Sequence, residues 1–112
     1  MPNPTPFQQR VYDALCRVPT GRVTTYKALG EFLGCRSYQA IGQALRRNPY
    51  APRVPCHRVI ASDQTIGGFG GDTQGKKIRE KLRLLAEEGV EFENARLADP
   101  DRLLTEIPRS TG

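Results

Sequence analysis

A single histidine, His57, stands directly after a cysteine, Cys56. A thiol attacks carbon as its thiolate, and a nearby imidazole can take the thiol's proton or stabilise the charge that results. Neighbours on an extended segment point in opposite directions, so cooperation between the two needs a turn or a bridging water. Prolines flanking Cys56 favour such a fixed, irregular backbone. A base of this kind also wants a third group to orient it, usually a carboxylate. Glu87 and Glu88 are the candidates, one of them turned inward at the end of the last helix. Taken alone, the pair can equally be a chance neighbour or a buried structural cysteine. Zinc is disfavoured, because Cys16, Cys35, Cys56 and His57 contain no short paired-ligand spacing and Cys16 falls inside a helical stretch. Cys16 and Cys35 read as small core residues, and neither a metal nor a cofactor is implied.

The elements that must position the pair are mostly helical. Thr5-Pro6-Phe7-Gln8 sets an N-cap, a first-turn proline and a capping-box glutamine in order. Phe7, Val11, Ala14, Leu15 and Val18 then follow helical spacing, which predicts a helix over 6–18 ended by Pro19-Thr20-Gly21. A second helix starts near Thr24 or Thr25 and runs to Leu33, burying Ala28, Leu29, Phe32 and Leu33, with Gly34 as its stop. Ser37 caps a third helix over 38–47, inner face Ala40, Ile41, Ala44 and Leu45, closed by Asn48-Pro49. Two short helices joined by a tight turn read as a helix-turn-helix, whose outer face offers Tyr38, Gln39, Gln43, Arg46 and Arg47. Pro49, Pro52 and Pro55 bar regular structure over 49–58. Val59–Ala61 and Thr65-Ile66, around a polar turn, predict a small hairpin. Gly67–Gly71 is a flexible loop, and a last helix covers 74–88 with Ile78, Leu82, Leu85 and Ala86 inward. From Glu91 the chain is an acidic, polar tail with a short helical turn at Asp101–Glu106. The fold class is therefore mostly α, a helix-turn-helix or winged-helix-like domain with a small β-hairpin. Lys76 and Lys77 open the last helix and Glu87 and Glu88 close it, all against the helix dipole. Charges kept against local preference point to function.

At 112 residues, with 38% hydrophobic residues and no Trp, the chain fits one domain with a modest, mostly aliphatic core. No apolar run approaches the roughly 20 residues of a membrane span, and the start lacks the features of a signal peptide. Three cysteines at irregular spacing argue against a disulfide framework and for a reducing compartment. The net charge of +5 is unevenly spread: residues 1–58 carry nine Lys or Arg against two Asp or Glu, a net +7, whereas 59–112 are at −2. Seven of those nine lie between Arg22 and Arg58. Such a concentration beside helices fits either a solvated face or a polyanion partner.

Pro55-Cys56-His57-Arg58-Val59 resembles the active-site motif of the O6-alkylguanine-DNA alkyltransferases. Phe7-Gln8 through Gly21, Thr25-Tyr26, Ile41-Gly42, Asn48-Pro49, the Gly67–Gly71 loop and Leu84–Gly89 follow that family's order and spacing, so the resemblance spans roughly residues 5–90. It implies a repair protein that binds duplex DNA containing alkylated guanine from the minor groove. The damaged base is flipped into a pocket and its alkyl group passes irreversibly to a cysteine. By this resemblance Cys56 is the acceptor, His57 its water-mediated base and Glu88 the group orienting His57. Asn48 resembles the hinge that braces the helix-turn-helix against the active-site segment. Tyr26 resembles the tyrosine that rotates the phosphate and donates to the base, while Val59, Phe69 and Gly70 fall where the base pocket is lined. With Glu88 beside His57, Cys56 is expected to have more thiolate character than a free thiol.

Three departures from the family pattern stand out. The usual N-terminal domain does not precede the module. Gln39 holds the place of an Arg that fills the gap left by the flipped base, with Tyr38 available as a wedge instead. Gly70 stands where a polar side chain usually sits near the base. Two functions follow: single-turnover alkyl transfer, or a non-enzymatic, alkyltransferase-like role that binds the lesion and flags it for excision-repair proteins. Retention of Cys56 favours transfer. An ordinary helix-turn-helix regulator would not explain Pro55–Val59. The chain is expected to be a monomer with no membrane association, cytoplasmic and nucleoid-associated, or nuclear in a eukaryote.

Overall fold

The computed structural model of the chain describes residues 3–51, 53–67 and 75–108. Helix α1, Pro6–Leu15, opens on the capping box: the Gln8 N–H donates to Thr5 Oγ1 at 3.1 Å and the Thr5 N–H to Gln8 Oε1 at 3.0 Å. It ends a turn earlier than its apolar spacing predicts, and Cys16 caps it exposed to solvent rather than inside the core. Tyr12, which the spacing argument passed over, is buried and donates its hydroxyl to the Ala44 carbonyl at 2.7 Å. That bond pins α3 to α1.

Strand β1 (Thr24–Thr25) leads directly into α2 (Tyr26–Leu33), because Thr25 Oγ1 accepts the Ala28 N–H at 3.1 Å and starts the helix. Gly34, at φ +68°, stops it in the left-handed region that glycine adopts without cost. Ser37 caps α3 (Tyr38–Arg46), which buries Ile41 and Ala44 and half-buries Ala40 and Leu45. The turn between α2 and α3 closes through the Cys35 N–H on the Gly30 carbonyl at 2.9 Å. These three helices enclose one core with Val54, Val59 and Ile107.

A 3₁₀ turn, Cys56–Arg58, delivers the chain into β2 (Val59–Ile60), which pairs parallel with β1 in the register Thr24↔Val59 and Thr25↔Ile60. Successive strand residues face opposite ways, so Val59 enters the helical core while Ile60 enters a second one with Val23, Ile66, Ile78, Leu85, Val90 and Leu97. The hairpin expected at 59–66 therefore lies elsewhere. After the turn at Ala61–Thr65, the Ile66 N–H donates to the Ala95 carbonyl and Gln64 accepts from the Leu97 N–H. The antiparallel hairpin is β3 (Phe92–Glu93) with β4 (Arg96–Leu97).

Helix α4, Lys76–Glu87, buries Ile78, Lys81 and Leu85, and leaves Ala86, expected inward, exposed. Beyond it the acidic stretch folds back onto the body rather than trailing as a tail. A 3₁₀ turn at Pro100–Arg102 precedes Leu104, whose N–H donates to the Val23 carbonyl at 2.7 Å, and Ile107 is buried in the helical core. Of its sparse apolar residues, Leu97 and Leu103 join the second core and Leu104 and Ile107 the helical one. Among the described residues no helix is long and apolar enough to cross a membrane.

Candidate active site

Cys56 is half-buried at the first position of the 3₁₀ turn, its N–H donating to Val54 at 2.9 Å and the Arg58 N–H to Pro55 at 3.0 Å. This turn is the irregular backbone the prolines lead one to expect. His57 points into the body, 3% exposed, and its Nε2 lies 3.0 Å from Glu88 Oε2. Glu88 caps the C-terminus of α4 and also accepts from Arg58 Nε at 2.9 Å on Oε1 and from Arg58 Nη2 at 2.8 Å on Oε2. Burial alone would raise the Glu88 carboxyl; the hydrogen bonds from Arg58 and His57 outweigh it and hold the group below the usual carboxylate range. An anionic Glu88 can only accept, so Nε2 is the ring nitrogen that donates to it and Nδ1 is the one Glu88 leaves unengaged. Of the two sequence candidates, Glu88 is the partner. Glu87 is exposed and pairs with Arg83 one turn back at 2.8 Å.

The thiol itself corrects an expectation. Burial pushes Cys56 above the ordinary thiol range; the Asn48 hydrogen bond and the Lys81 charge pull the other way without cancelling it. Cys56 thus rests as the thiol, and its reactivity depends on giving up the proton during attack. A site of that kind requires a base.

Asn48 follows α3 and fastens the proline-rich segment, Nδ2 donating to Val54 at 2.8 Å while Oδ1 accepts the Tyr50 N–H at 2.9 Å. It links the last turn of α3 to the residue two before Cys56. Tyr26, at the start of α2, is half-buried, and its phenol is raised by burial and by the proximity of Cys56, so it remains a donor. Val59 gives its N–H to the Cys56 carbonyl, and its own carbonyl accepts from Lys81 Nζ at 2.8 Å. Tyr38, Gln39, Gln43, Arg46 and Arg47 are all exposed, along and just past α3. Phe69 and Gly70 lie outside the described residues.

Two neighbours of the Cys56 turn are not signalled by motif or spacing alone. Lys81 is 1% exposed, with Nζ also donating to the Ile66 carbonyl at 2.6 Å, and burial pushes its ammonium down to about 8, against the pull of Cys56. In the sequence Lys81 stands on the Ile78–Leu85 stripe, three residues after one and four before the other. Arg58 stands out in the sequence only as part of the Pro55–Val59 motif. Among the described residues no group of three His, Cys, Asp or Glu is placed to hold a metal ion.

A half-buried cysteine, a carboxylate-oriented histidine on the next residue and a basic helix-turn-helix define an alkyltransferase-type module. The family model for the DNA-binding domain of 6-O-methylguanine DNA methyltransferase matches residues 6–90, and the chain belongs to that family. A methylated-DNA–protein-cysteine methyltransferase of Methanosarcina barkeri is 42% identical over 90 residues, covering 80% of this chain and 55% of that protein. The chain spans about half the length of the curated relatives it matches. Among solved structures, S. pombe Atl1 in complex with DNA containing O6-carboxymethylguanine superposes with a TM-score of 0.74 at 32% identity, covering 88% of this chain and 94% of that one. Mycobacterium tuberculosis OGT in complex with DNA gives 0.69 at 38% identity, covering 77% and 51%.

Proposed function

We propose that the chain repairs DNA by binding a duplex that contains O6-alkylguanine, turning the damaged base out of the stack and accepting its alkyl group on Cys56 in a single turnover. The observation that carries this reading is the 3.0 Å bond between His57 and Glu88 beside a cysteine that burial keeps protonated. A cysteine followed directly by a histidine that a carboxylate orients supports transfer over binding alone. In the reaction the sulfur–carbon bond forms as the O6–carbon bond breaks. The thiol's proton passes to Nδ1 of His57 through a water, and the departing guanine is neutralised by a proton from the Tyr26 phenol. Asn48 keeps the segment before Cys56 in register with α3, and the Val59 backbone lines the base. Gln39 or Tyr38 fills the space the base leaves, while Gln43, Arg46 and Arg47 contact the backbone of the duplex. The site of action is then wherever the cell keeps its DNA.

A second reading, lesion binding without transfer followed by recruitment of excision-repair proteins, has its own support. Atl1 in complex with damaged DNA superposes at a TM-score of 0.74, against 0.69 for OGT in complex with DNA. The intact mass of the chain after incubation with a duplex holding O6-methylguanine separates the two. A gain of one methylene located on Cys56 is expected; tight lesion binding at unchanged mass would establish the second reading.

A further inference from the structure

Among the described residues, Arg58 makes four side-chain hydrogen bonds two positions after Cys56. Nε and Nη2 grip the two oxygens of Glu88 at 2.9 and 2.8 Å, Nη1 donates to the Val18 carbonyl at 2.8 Å, and Nη2 also reaches Thr20 Oγ1 at 3.1 Å. Four of the guanidinium's five donor directions are thus engaged. Two of the bonds go to the carboxylate that faces His57, and two to the connection between α1 and β1. Glu88 Oε2 is shared, accepting from Arg58 Nη2 and facing His57 Nε2 at once. The three side chains are largely withdrawn from water, at 4% exposed for His57, 14% for Arg58 and 16% for Glu88. At the C-terminal end of α4 a carboxylate meets the negative pole of the helix, so an adjacent cation is needed to keep it there.

We propose that Arg58 is a positioning residue for the base. It fixes Glu88 in the rotamer that orients His57, and by sharing the carboxylate it limits how strongly Glu88 draws a proton onto the ring. An imidazole facing an otherwise unpaired carboxylate in a shielded site is pulled toward imidazolium. Imidazolium has no lone pair to accept a thiol's proton. With Arg58 on the same oxygens that attraction is divided, and Nδ1 stays available.

The other titratable groups around the Cys56–His57 turn act on Cys56 rather than on Glu88, whose charge partners are Arg58 and His57. Tyr12 from α1 and Tyr26 from α2 are phenols raised by burial and then by Cys56, hence neutral. Lys81 from α4 commits its ammonium to the Val59 and Ile66 carbonyls.

This inference rests on the proposed role of His57 as base but is tested without DNA. The full chain is labelled at Cys56 by iodoacetamide across pH 5–9, with the modified peptide identified by mass because Cys16 is exposed. The single imidazole is followed through its own titration by NMR. In Arg58→Met the midpoint of the ring titration should move upward by about one pH unit, the order expected for losing a unit charge at this range in a partly shielded site. Labelling near pH 7 should fall about tenfold and recover as pH is raised, in step with that midpoint. A purely structural arginine would lower the rate equally at all pH values without moving the midpoint, and that result overturns the proposal. Arg58→Lys keeps the charge but loses the fork, so its midpoint should stay near that of the native chain while labelling slows several-fold throughout. Native labelling rates in Arg58→Lys would also overturn it, and this holds even where Arg58→Met fails to fold. Wild-type Cys56 that labels normally but takes no methyl group from DNA would refute the transfer reading and leave this one standing.

Discussion

Replacing Glu88 by glutamine changes one oxygen to an amide nitrogen in a position that accepts three bonds, from His57 Nε2 at 3.0 Å and from Arg58 Nε and Nη2 at 2.9 and 2.8 Å. Whichever way the amide turns, its NH₂ faces a donor, and the charge assistance on the remaining bonds is lost. A hydrogen bond involving a charged partner contributes about 1.5–3 kcal/mol when buried. Arg58 and Glu88 keep some exposure, so a loss of about 2 kcal/mol of folding stability is expected. During transfer the imidazolium forms without its counter-charge; a deficit of about 2–3 kcal/mol in the transition state corresponds to roughly 30- to 150-fold slower reaction. Single-turnover transfer of methyl from an O6-methylguanine duplex, urea unfolding and DNA titration on the same preparation read the three quantities, with DNA affinity expected to hold. Because bonding holds the Glu88 carboxyl below its unfolded value, its stabilisation is complete above the unfolded pKa of about 4.3 and fades as pH falls through the lower folded one. The stability gap between wild type and variant should close with it. Glu87→Gln is the control, since its exposed pair with Arg83 contributes at most about 0.5 kcal/mol. Equal effects from the two substitutions, or a folded Glu88→Gln that reacts at the native rate, would refute the assignment.

Cys56→Ser should abolish transfer while preserving affinity for lesion DNA, as a hydroxyl is a far weaker nucleophile; methyl loss from the duplex is the readout. Gly30→Ala places a Cβ 2.7 Å from the Cys35 carbonyl and 3.1 Å from Tyr38 Cε1, so the α2–α3 turn must open. About 2 kcal/mol of stability, measured in urea, should be lost. Lys81→Met removes an ammonium whose folded pKa, about 8, lies below the unfolded value near 10.4. The unfolded chain binds more protons between those values, so wild-type stability gains on that of Lys81→Met as pH rises from 8 to 10.5, and parallel urea midpoints would contradict this. Arg46→Ala and Arg47→Ala should weaken binding to damaged and undamaged duplexes alike and flatten its salt dependence, checked by titration at several salt concentrations.

The features legible in the sequence are those governed by bonds within a few residues. Thr5 and Gln8 cap each other across three positions, Ser37 starts α3, and Gly34 stops α2 because no other residue takes φ +68° as readily. The basic outer face of α3 follows from helical period alone, and the Pro55–Val59 motif resembles its family as a string. What the fold alone decided depends on segments far apart in the chain or on the removal of water. Glu87 and Glu88 are neighbours with the same chemistry, and only the docking of α4 against the Cys56 turn, 31 residues away, picks the second. The hairpin shifted from 59–66 to 92–97 because Val59–Ile60 found a parallel partner in Thr24–Thr25, a pairing no local turn residue announces. The supposed acidic tail packs because Leu97 enters one core while Leu104 and Ile107 enter the other. Cys56 rests as a thiol because desolvation outweighs the Asn48 hydrogen bond and the Lys81 charge. Residue type fixes which groups can titrate, but burial sets their protonation, and burial exists only once the chain is folded.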